Sequence, residues 1–251
     1  MAADGAAPII TPEEANDQDS SLGDDPTSST ASLTSSILDY RRENGRTYHG
    51  YKDGKYHLPN DDLENDRLDF QHHLFLRTLD NKLGLSPPNL PGSGVKRVLD
   101  LGTGTGIWAM DFGDEHPEAD ITGVDLSPIQ PSFVPPNVRF IIDDIDEEWD
   151  YPEPFNYIHS RMMNFSVKDW RVYMSKIYQN LVPGGYVELQ DIDVMMGSDD
   201  GSLTEDTALL KWNKLLREAA IELDRPFEET GAFENIMAEV GFTNIVTKRF
   251  K

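Results

Sequence analysis

Short apolar runs and segments with helical periodicity alternate along most of the chain. Mainly apolar runs predict strands at residues 97–101, 121–125, 138–142, 155–160, 186–190 and 243–250. Apolar residues three or four positions apart predict helices at residues 61–83, 107–115, 167–181, 205–223 and 232–240. This alternation is typical of an α/β protein with a Rossmann-like, doubly wound and mostly parallel sheet.

The pattern stops at the N-terminal end of the chain. Residues 1–36 contain seven acidic residues, no Lys or Arg, and a Ser/Thr-rich run over residues 27–36. Such a segment has too little apolar surface to offset the entropy of ordering it. We therefore predict a disordered acidic tail over residues 1–39, a middle region over 40–94 and the α/β domain over 95–251.

The charge balance and the absence of cysteine exclude several classes of function. Lys and Arg total 22 against 45 Asp and Glu, a net charge of -23, which disfavours direct binding to nucleic acid or to anionic membranes. With no cysteine there is no disulfide, no thiolate chemistry and no Cys-based zinc site. No leader or membrane span is evident, so we expect a soluble, intracellular protein of the cytoplasm, the nucleus or both.

The most informative chemistry lies directly after the first predicted strand of the α/β domain. Gly102, Gly104 and Gly106 let the backbone turn tightly and present N–H groups at the start of a helix. The alternative is that the turn needs these glycines only for their positive φ angles and binds no ligand. The G-x-G-x-G spacing differs from the G-x-G-x-x-G of dinucleotide-binding proteins, which disfavours a nicotinamide-dependent oxidoreductase.

Two acidic residues accompany this loop. Asp100 lies two positions before Gly102, where it can accept from N–H groups of the loop and, through water, from a ligand ammonium; alternatively it only ties down its own loop. Asp125 ends the next strand, 19 residues beyond Gly106, where a carboxylate can accept from two ribose hydroxyls. The alternative for Asp125 is an ordinary polar residue at a strand end.

Motifs over residues 40–251 carry a family resemblance. They are Glu43-Asn44-Gly45-Arg46-Thr47-Tyr48-His49, Tyr56-His57-Leu58-Pro59-Asn60-Asp61, Asp66 to Leu76, the glycine turn, His159-Ser160-Arg161, Lys168-Asp169-Trp170 and Pro183-Gly184-Gly185-Tyr186-Val187-Glu188. The chain resembles class I S-adenosylmethionine-dependent methyltransferases of the LaeA-like fungal family. The resemblance implies a lid and cap helix over residues 40–94. It also implies a seventh, antiparallel strand beyond Lys251, so the chain looks C-terminally short.

The resemblance also implies S-adenosylmethionine as cofactor and a set of residues around it. Asp144 would accept from the adenine amino group, with Asp143 as the alternative acceptor, and Ile145 would supply an N–H and an apolar face. The predicted cofactor-binding residues are Asp100, Gly102, Thr103, Gly104, Gly106, Asp125, Leu126, Asp144, Ile145 and Ser160. No metal site is predicted, because His72 and His73 are adjacent and point to different sides of a helix.

Methyl transfer needs a positioned acceptor and, for some acceptors, a base. His159 is the candidate base, because histidine changes protonation near neutral pH; the alternative is a histidine packed beneath the loop. Arg161 can bind a carboxylate of substrate or cofactor, or hold neighbouring acids.

Two functions are compatible with this sequence. The first is a methyltransferase acting on an unidentified small-molecule or protein acceptor, linked to fungal secondary metabolism. The second is a cofactor-binding regulatory subunit that works through protein partners, with little or no catalysis.

Overall fold

A five-stranded sheet, in which all strand pairs are parallel, forms the centre of the computed structural model, which describes residues 37–251. The strands of the described chain are β1 (Arg41–Glu43), β2 (Arg46–Tyr48), β3 (Arg97–Leu101), β4 (Asp120–Asp125), β5 (Val138–Ile142), β6 (Phe155–Arg161) and β7 (Leu181–Gln190). The helices are α1 (Asp62–Thr78), α2 (Ile107–Glu115), α3 (Trp170–Gln179), α4 (Ala208–Glu222) and α5 (Phe233–Val240). The predicted parallel sheet is confirmed.

The strand order of the large sheet is β5-β4-β3-β6-β7. The chain runs outward from β3 to β4 and β5, then returns to place β6 on the other side of β3. The connection after β3 therefore runs toward one edge of the sheet, and the connection after β6 runs toward the other. This divergence opens a crevice at the carboxyl ends of β3 and β6.

Strand alternation distributes side chains between two apolar layers. Leu99 and Ile158 face one side of the sheet and pack in a cluster with residues of α3 and α5. Val98 and Tyr157 face the other side and pack with Trp108 of α2. Both faces of the central strands are covered, as expected for a parallel sheet.

Local signals explain where two helices begin and end. Asp169 caps α3, because its side chain accepts from the N–H groups of Arg171 (2.9 Å) and Val172 (3.0 Å). The helix predicted over residues 61–83 ends at Thr78, where Asp80 and Asn81 adopt left-handed φ angles of 56° and 58°. In both cases apolar residues at helical spacing continue beyond the helix, and a polar residue sets the boundary of the helix.

The turn predicted at residues 183–185 interrupts the pairing of β7, because Leu181 pairs with Phe155 while Tyr186 pairs with Tyr157. The strand predicted over residues 186–190 pairs regularly with β6. One other prediction needs correction. The strand predicted over residues 243–250 is wrong. No strand of the described chain takes up its backbone groups, and Val246 is 78% exposed.

The middle region begins with a two-stranded antiparallel hairpin, β1 and β2. Its turn residues Asn44 and Gly45 both have positive φ, 49° and 78°, as a tight hairpin requires. Arg46 of β2 pairs with Asp61, which also caps α1 through the N–H of Glu64. Apart from residues 37–39, the predicted tail lies outside the described residues. Within residues 37–251, no helix has both the length and the apolar character needed to cross a membrane.

Candidate functional site

A cavity of about 140 Å³ opens at the carboxyl ends of β3, β4 and β6. It lies between two segments that we name here: the glycine loop, residues 102–106, and the lid segment, residues 40–60. A third segment, the acidic loop of residues 143–148, follows β5 and closes one end. The cavity therefore occupies the edge at which open α/β sheets bind their ligands.

The three glycines of the glycine loop are required for different reasons. Gly102, Gly104 and Gly106 all have positive φ, at 69°, 57° and 80°. An added Cβ would clash with Met163 at position 102 and with the Phe140 ring at position 106. At position 104 the nearest atom to an added Cβ would be 3.5 Å away, on Leu68, so the backbone there faces open space in the cavity.

Asp100 is buried beneath the glycine loop, and each of its carboxylate oxygens accepts from one side chain. It accepts from the Thr103 hydroxyl at 2.6 Å and from His159 Nδ1 at 2.7 Å. We expected it to accept from loop N–H groups, but the Thr103 hydroxyl takes that place. Asp100 thus fixes the loop to β6, and it lines the cavity at 3% exposure.

Asp125 is joined to the glycine loop through the backbone. One carboxylate oxygen accepts from the Gly104 N–H at 2.8 Å and the other from the Ser127 N–H at 3.0 Å. Burial raises the pKa of Asp125, while the N–H groups of Ser127, Gly104 and Leu126 oppose that rise. Both oxygens keep lone pairs free, so this carboxylate, with Leu126 beside it, is able to accept from a ligand diol in the cavity.

The acidic loop brings Asp144 and Ile145 to the cavity. Asp144 is 2% exposed, accepts from the Asp146 N–H at 2.9 Å and lies 3.0 Å from Lys55 Nζ of the lid segment. Lys176 of α3 holds the loop from behind by donating to the carbonyls of residues 145, 146 and 147. Asp143 lines the same cavity, so both acids proposed for adenine reach it.

The structure separates two predicted residues from the cavity lining. Ser160 lies on the α3 side of β6, opposite His159, and its hydroxyl is 2.9 Å from Tyr173 Oη. Gly106 packs against Phe140 instead of facing the cavity. Alternation along β6 turns Ser160 away from the cavity, and Gly106 starts α2 with a left-handed φ, so neither residue lines the cavity as the structure describes it.

His159 lies flat beneath the glycine loop. Its ring stacks on Trp108 with 3.6 Å between centroids and 5° between planes, and it is 1% exposed. Because Nδ1 is taken by Asp100, Nε2 is the ring nitrogen left without a hydrogen-bond partner among residues 37–251. This position matches the packed histidine considered in the sequence analysis, although the residue still lines the cavity.

Several cavity residues were not assigned to the ligand from the sequence. They are Gln71, Met162, Met163, Ser166 and Arg225. Helix α1 supplies Gln71, and Tyr56 of the lid segment also lines the cavity. Arg225 carried no signal: it follows α4 and reaches the acidic loop, with 2.7 Å between its Nη1 and an Asp146 carboxylate oxygen.

The lid segment is held over the cavity by internal bonds and by ion pairs. His49 is buried, with Nδ1 2.7 Å from the Tyr51 carbonyl and Nε2 3.1 Å from the Tyr56 nitrogen. Lys52 pairs with Glu147, and Lys55 pairs with Asp144. The lid segment therefore meets the acidic loop through opposite charges.

Comparison with known sequences identifies the family. A sequence model described as a methyltransferase domain matches residues 70–247. The chain is 44% identical over 228 residues to "Methyltransferase pytC" of Aspergillus terreus, covering 90% of this chain and 69% of that protein. It is 43% identical over 210 residues to "Secondary metabolism regulator laeA" of Aspergillus fumisynnematus, covering 81% and 54%. With 39% identity, "Protein-methionine methyltransferase laeA" of Emericella nidulans matches over 82% of this chain and 55% of its own length.

Solved structures share the fold at low sequence identity. The plantazolicin methyltransferase BpumL, solved in complex with a monoazolic desmethylPZN analog and SAH, has a TM-score of 0.50 at 14% identity, covering 71% of this chain and 67% of its own. A protein solved with the Haloferax volcanii Trm112 methyltransferase activator has a TM-score of 0.51 at 18% identity, covering 72% and 74%. These two structures show the fold. The family model over residues 70–247 and the relatives at 39–44% identity show that the chain belongs to the methyltransferase-domain family and to its LaeA-like branch.

Proposed function

We propose that this chain binds S-adenosylmethionine in the cavity and transfers a methyl group to an acceptor in fungal secondary metabolism. The observation that carries the proposal is the pairing of the Gly104 N–H with Asp125 in the lining of an open cavity that Asp144 also lines. Membership of the methyltransferase family and the SAH-bound relative of the same fold support it.

The residues present fit this cofactor from end to end. Asp125 keeps lone pairs for two ribose hydroxyls, and Asp144 with Ile145 offers an acceptor and an apolar edge for adenine. Gly104 leaves room for a ligand to approach the backbone. When bound, S-adenosylmethionine supplies an electrophilic methyl group on a positively charged sulfur.

The chain's own task in this reaction is to hold the acceptor in line and to exclude water. The lid segment covers the cavity and is pinned to the acidic loop by Lys52 and Lys55. Met162, Met163 and Ser166 line the part of the cavity contributed by the segment after β6. We assign the acceptor to this part, because the glycine loop and the acidic loop already provide for a nucleoside.

Proton removal, where the acceptor requires it, falls to His159 in this proposal. Asp100 fixes Nδ1, which leaves Nε2 as the free ring nitrogen. The variant His159→Gln separates a base from a packed histidine. A base predicts a fall in turnover at unchanged affinity for S-adenosylhomocysteine, whereas a purely packed ring predicts a loss of affinity through Asp100.

The experiment for the main proposal supplies the full chain with methyl-labelled S-adenosylmethionine and separated metabolite and protein fractions of a fungal extract. The proposal predicts that one fraction gains label and that a cavity-blocked variant, Gly104→Val, transfers none. Protein fractions are included because the Emericella nidulans relative is named a protein-methionine methyltransferase. Equal labelling by both proteins would contradict the proposal.

A second function is favoured by a specific finding: relatives at 43% identity carry the name of secondary metabolism regulators. In this alternative the chain binds the cofactor and acts inside the cell, in the cytoplasm or nucleus, through a protein partner. Size analysis of the native protein in extract distinguishes the two. A stable complex that forms without label transfer supports the regulator, and a free monomer that transfers label supports the enzyme.

A further inference from the structure

Arg161, the last residue of β6, is an uncompensated charge at the cavity. It lines the cavity together with Asp100 and the glycine loop, and its guanidinium lies 5.1 Å from the centroid of the Phe75 ring. Its one hydrogen-bond contact within residues 37–251 is to His72 Nδ1, at 3.0 Å. Burial lowers the pKa of Arg161, and the nearby charges of Asp100 and Asp111 act in the opposite direction.

Asp100 and Asp111, the two carboxylates whose charges act on Arg161, form no ion pair with it. Both oxygens of Asp100 are already engaged, one by the Thr103 hydroxyl and the other by His159. Asp111 bonds to His72 and not to Arg161. A half-buried guanidinium whose one fixed acceptor is a neutral ring nitrogen has donors left for an anion that enters the cavity.

His72 determines how Arg161 is held. Arginine only donates, so His72 Nδ1 must accept and Nε2 must carry the ring proton. That proton is donated to Asp111 of α2, 2.9 Å away, and the imidazole itself is fully buried. Asp111 and His72 therefore form a relay that fixes the direction of the guanidinium from outside the cavity.

We infer that Arg161 binds a carboxylate of the ligand and that His72 and Asp111 are its positioning residues. The inference rests on the proposed function, because the cavity must be a ligand site. A single negative charge fits better than a phosphate, since Asp100, Asp125 and Asp144 also line the cavity and would repel a dianion.

Two sources can supply that carboxylate: the amino-acid end of the cofactor and the methyl acceptor. The cofactor source is tested by calorimetry with S-adenosylhomocysteine and 5′-methylthioadenosine, which share the nucleoside but differ in the amino-acid end. Arg161→Gln is expected to lose at least about tenfold in affinity for the first and to leave the second unchanged. Arg139→Gln, at an exposed arginine paired with Asp120, is the matched control and should change neither.

The acceptor source is tested with benzoate, added to protein saturated with S-adenosylhomocysteine. If Arg161→Gln leaves both nucleosides unaffected but abolishes benzoate binding, the carboxylate belongs to the acceptor. If the variant changes neither the nucleoside selectivity nor benzoate binding, the inference is overturned. Should the wild-type protein bind neither nucleoside, the proposed function fails, and benzoate binding to the two proteins still decides the carboxylate site.

The positioning relay has its own readout. His72→Phe keeps an aromatic ring at the buried position but removes the acceptor for Arg161. It is expected to lower the ratio of S-adenosylhomocysteine to methylthioadenosine affinity, or benzoate affinity in the acceptor case, at least threefold. A ring that only fills space would lower the affinity for every ligand equally, and that result would overturn the role of His72.

Discussion

The two sides of the cavity are built in contrasting ways. On the glycine-loop side, carboxylates of β3 and β4 bond to the backbone and the Thr103 hydroxyl of the adjoining loop, as with Asp125 and the Gly104 N–H. On the lid side, Lys52 reaches Glu147, 95 residues away, and Lys55, besides pairing with Asp144, reaches Asp146, 91 residues away; the lysines of these ion pairs are partly exposed. Buried backbone hydrogen bonds fix a geometry, whereas exposed ion pairs contribute little and are screened by salt. The loop side is therefore a preformed binding surface, and the lid side is a weakly held cover.

The largest effect is expected where the loop side faces open space. Gly104→Val places a branched side chain in the cavity, and we expect affinity for S-adenosylhomocysteine to fall at least about 1000-fold, or about 4 kcal/mol. Gly92→Val is the control, because Gly92 also has a positive φ (72°) and open surroundings but lies outside the cavity. Both variants should lose about 1–2 kcal/mol of stability through backbone strain. Calorimetric titration of the two proteins with S-adenosylhomocysteine checks this. Equal affinities would show that the glycine loop is not part of the ligand site.

The next effect concerns the segment after β6. Asp191 accepts from the N–H groups of Met163 and Asn164, each at 2.9 Å, and burial raises the pKa of its carboxyl to about 6 from 3.8. A raised folded-state pKa means that this group stabilises the fold fully below about pH 4 and that the contribution is lost as pH rises through 6.

The raised pKa of Asp191 predicts a pH-dependent difference between two proteins. Relative to Asp191→Asn, the wild-type free energy of unfolding should fall by up to about 3 kcal/mol between pH 4 and pH 7.5. Urea denaturation of both proteins at the two pH values measures the difference, in which other titrating groups cancel. If the free energies of unfolding of the two proteins changed equally with pH, burial would not raise the pKa of the Asp191 carboxyl, and the prediction would be wrong.

A smaller loss is expected from the ribose side. Asp125→Ala removes the charged acceptor for a diol and the anchor of the Gly104 N–H, which should cost about 2 kcal/mol, or roughly 30-fold in S-adenosylhomocysteine affinity. Asp120→Ala lies at the opposite end of the same strand and is the control. An unchanged affinity in Asp125→Ala would contradict the assignment of this residue.

The smallest effect is expected on the lid side. Lys52→Gln breaks an exposed pair with Glu147, so ligand affinity should fall only about two- to threefold. Added salt should lower wild-type affinity by a similar factor and leave the variant less sensitive. Lys168→Gln, which breaks the exposed pair with Asp224, should have no effect. A loss as large as that of Asp125→Ala would mean that the lid side is as firmly built as the loop side.

The sequence was sufficient for the parts of the fold and site that depend on local signals. Strands β3 and β5, helix α2 and the placement of Asp100 and Asp125 beside the glycine loop follow from apolar period, glycine spacing and strand ends. The orientation of Ser160 was less accessible, because it depends on which face of β6 packs against α3.

Other features depend on contacts between distant segments and could not be read locally. Arg225 reaches the cavity only because the chain after α4 folds back to the acidic loop. The relay from Asp111 through His72 to Arg161 joins α2, α1 and β6. Residues 243–250 have a strand-like composition, but whether such a segment becomes a strand is decided by a neighbouring strand and not by its own sequence.

The central claim is that the preformed loop side binds the nucleoside of S-adenosylmethionine. Calorimetric titration of the full chain with S-adenosylhomocysteine, and separately with NADH, tests it most directly. We expect one S-adenosylhomocysteine site per chain and no heat of binding for NADH. Binding of NADH in place of S-adenosylhomocysteine, or of neither, would contradict it.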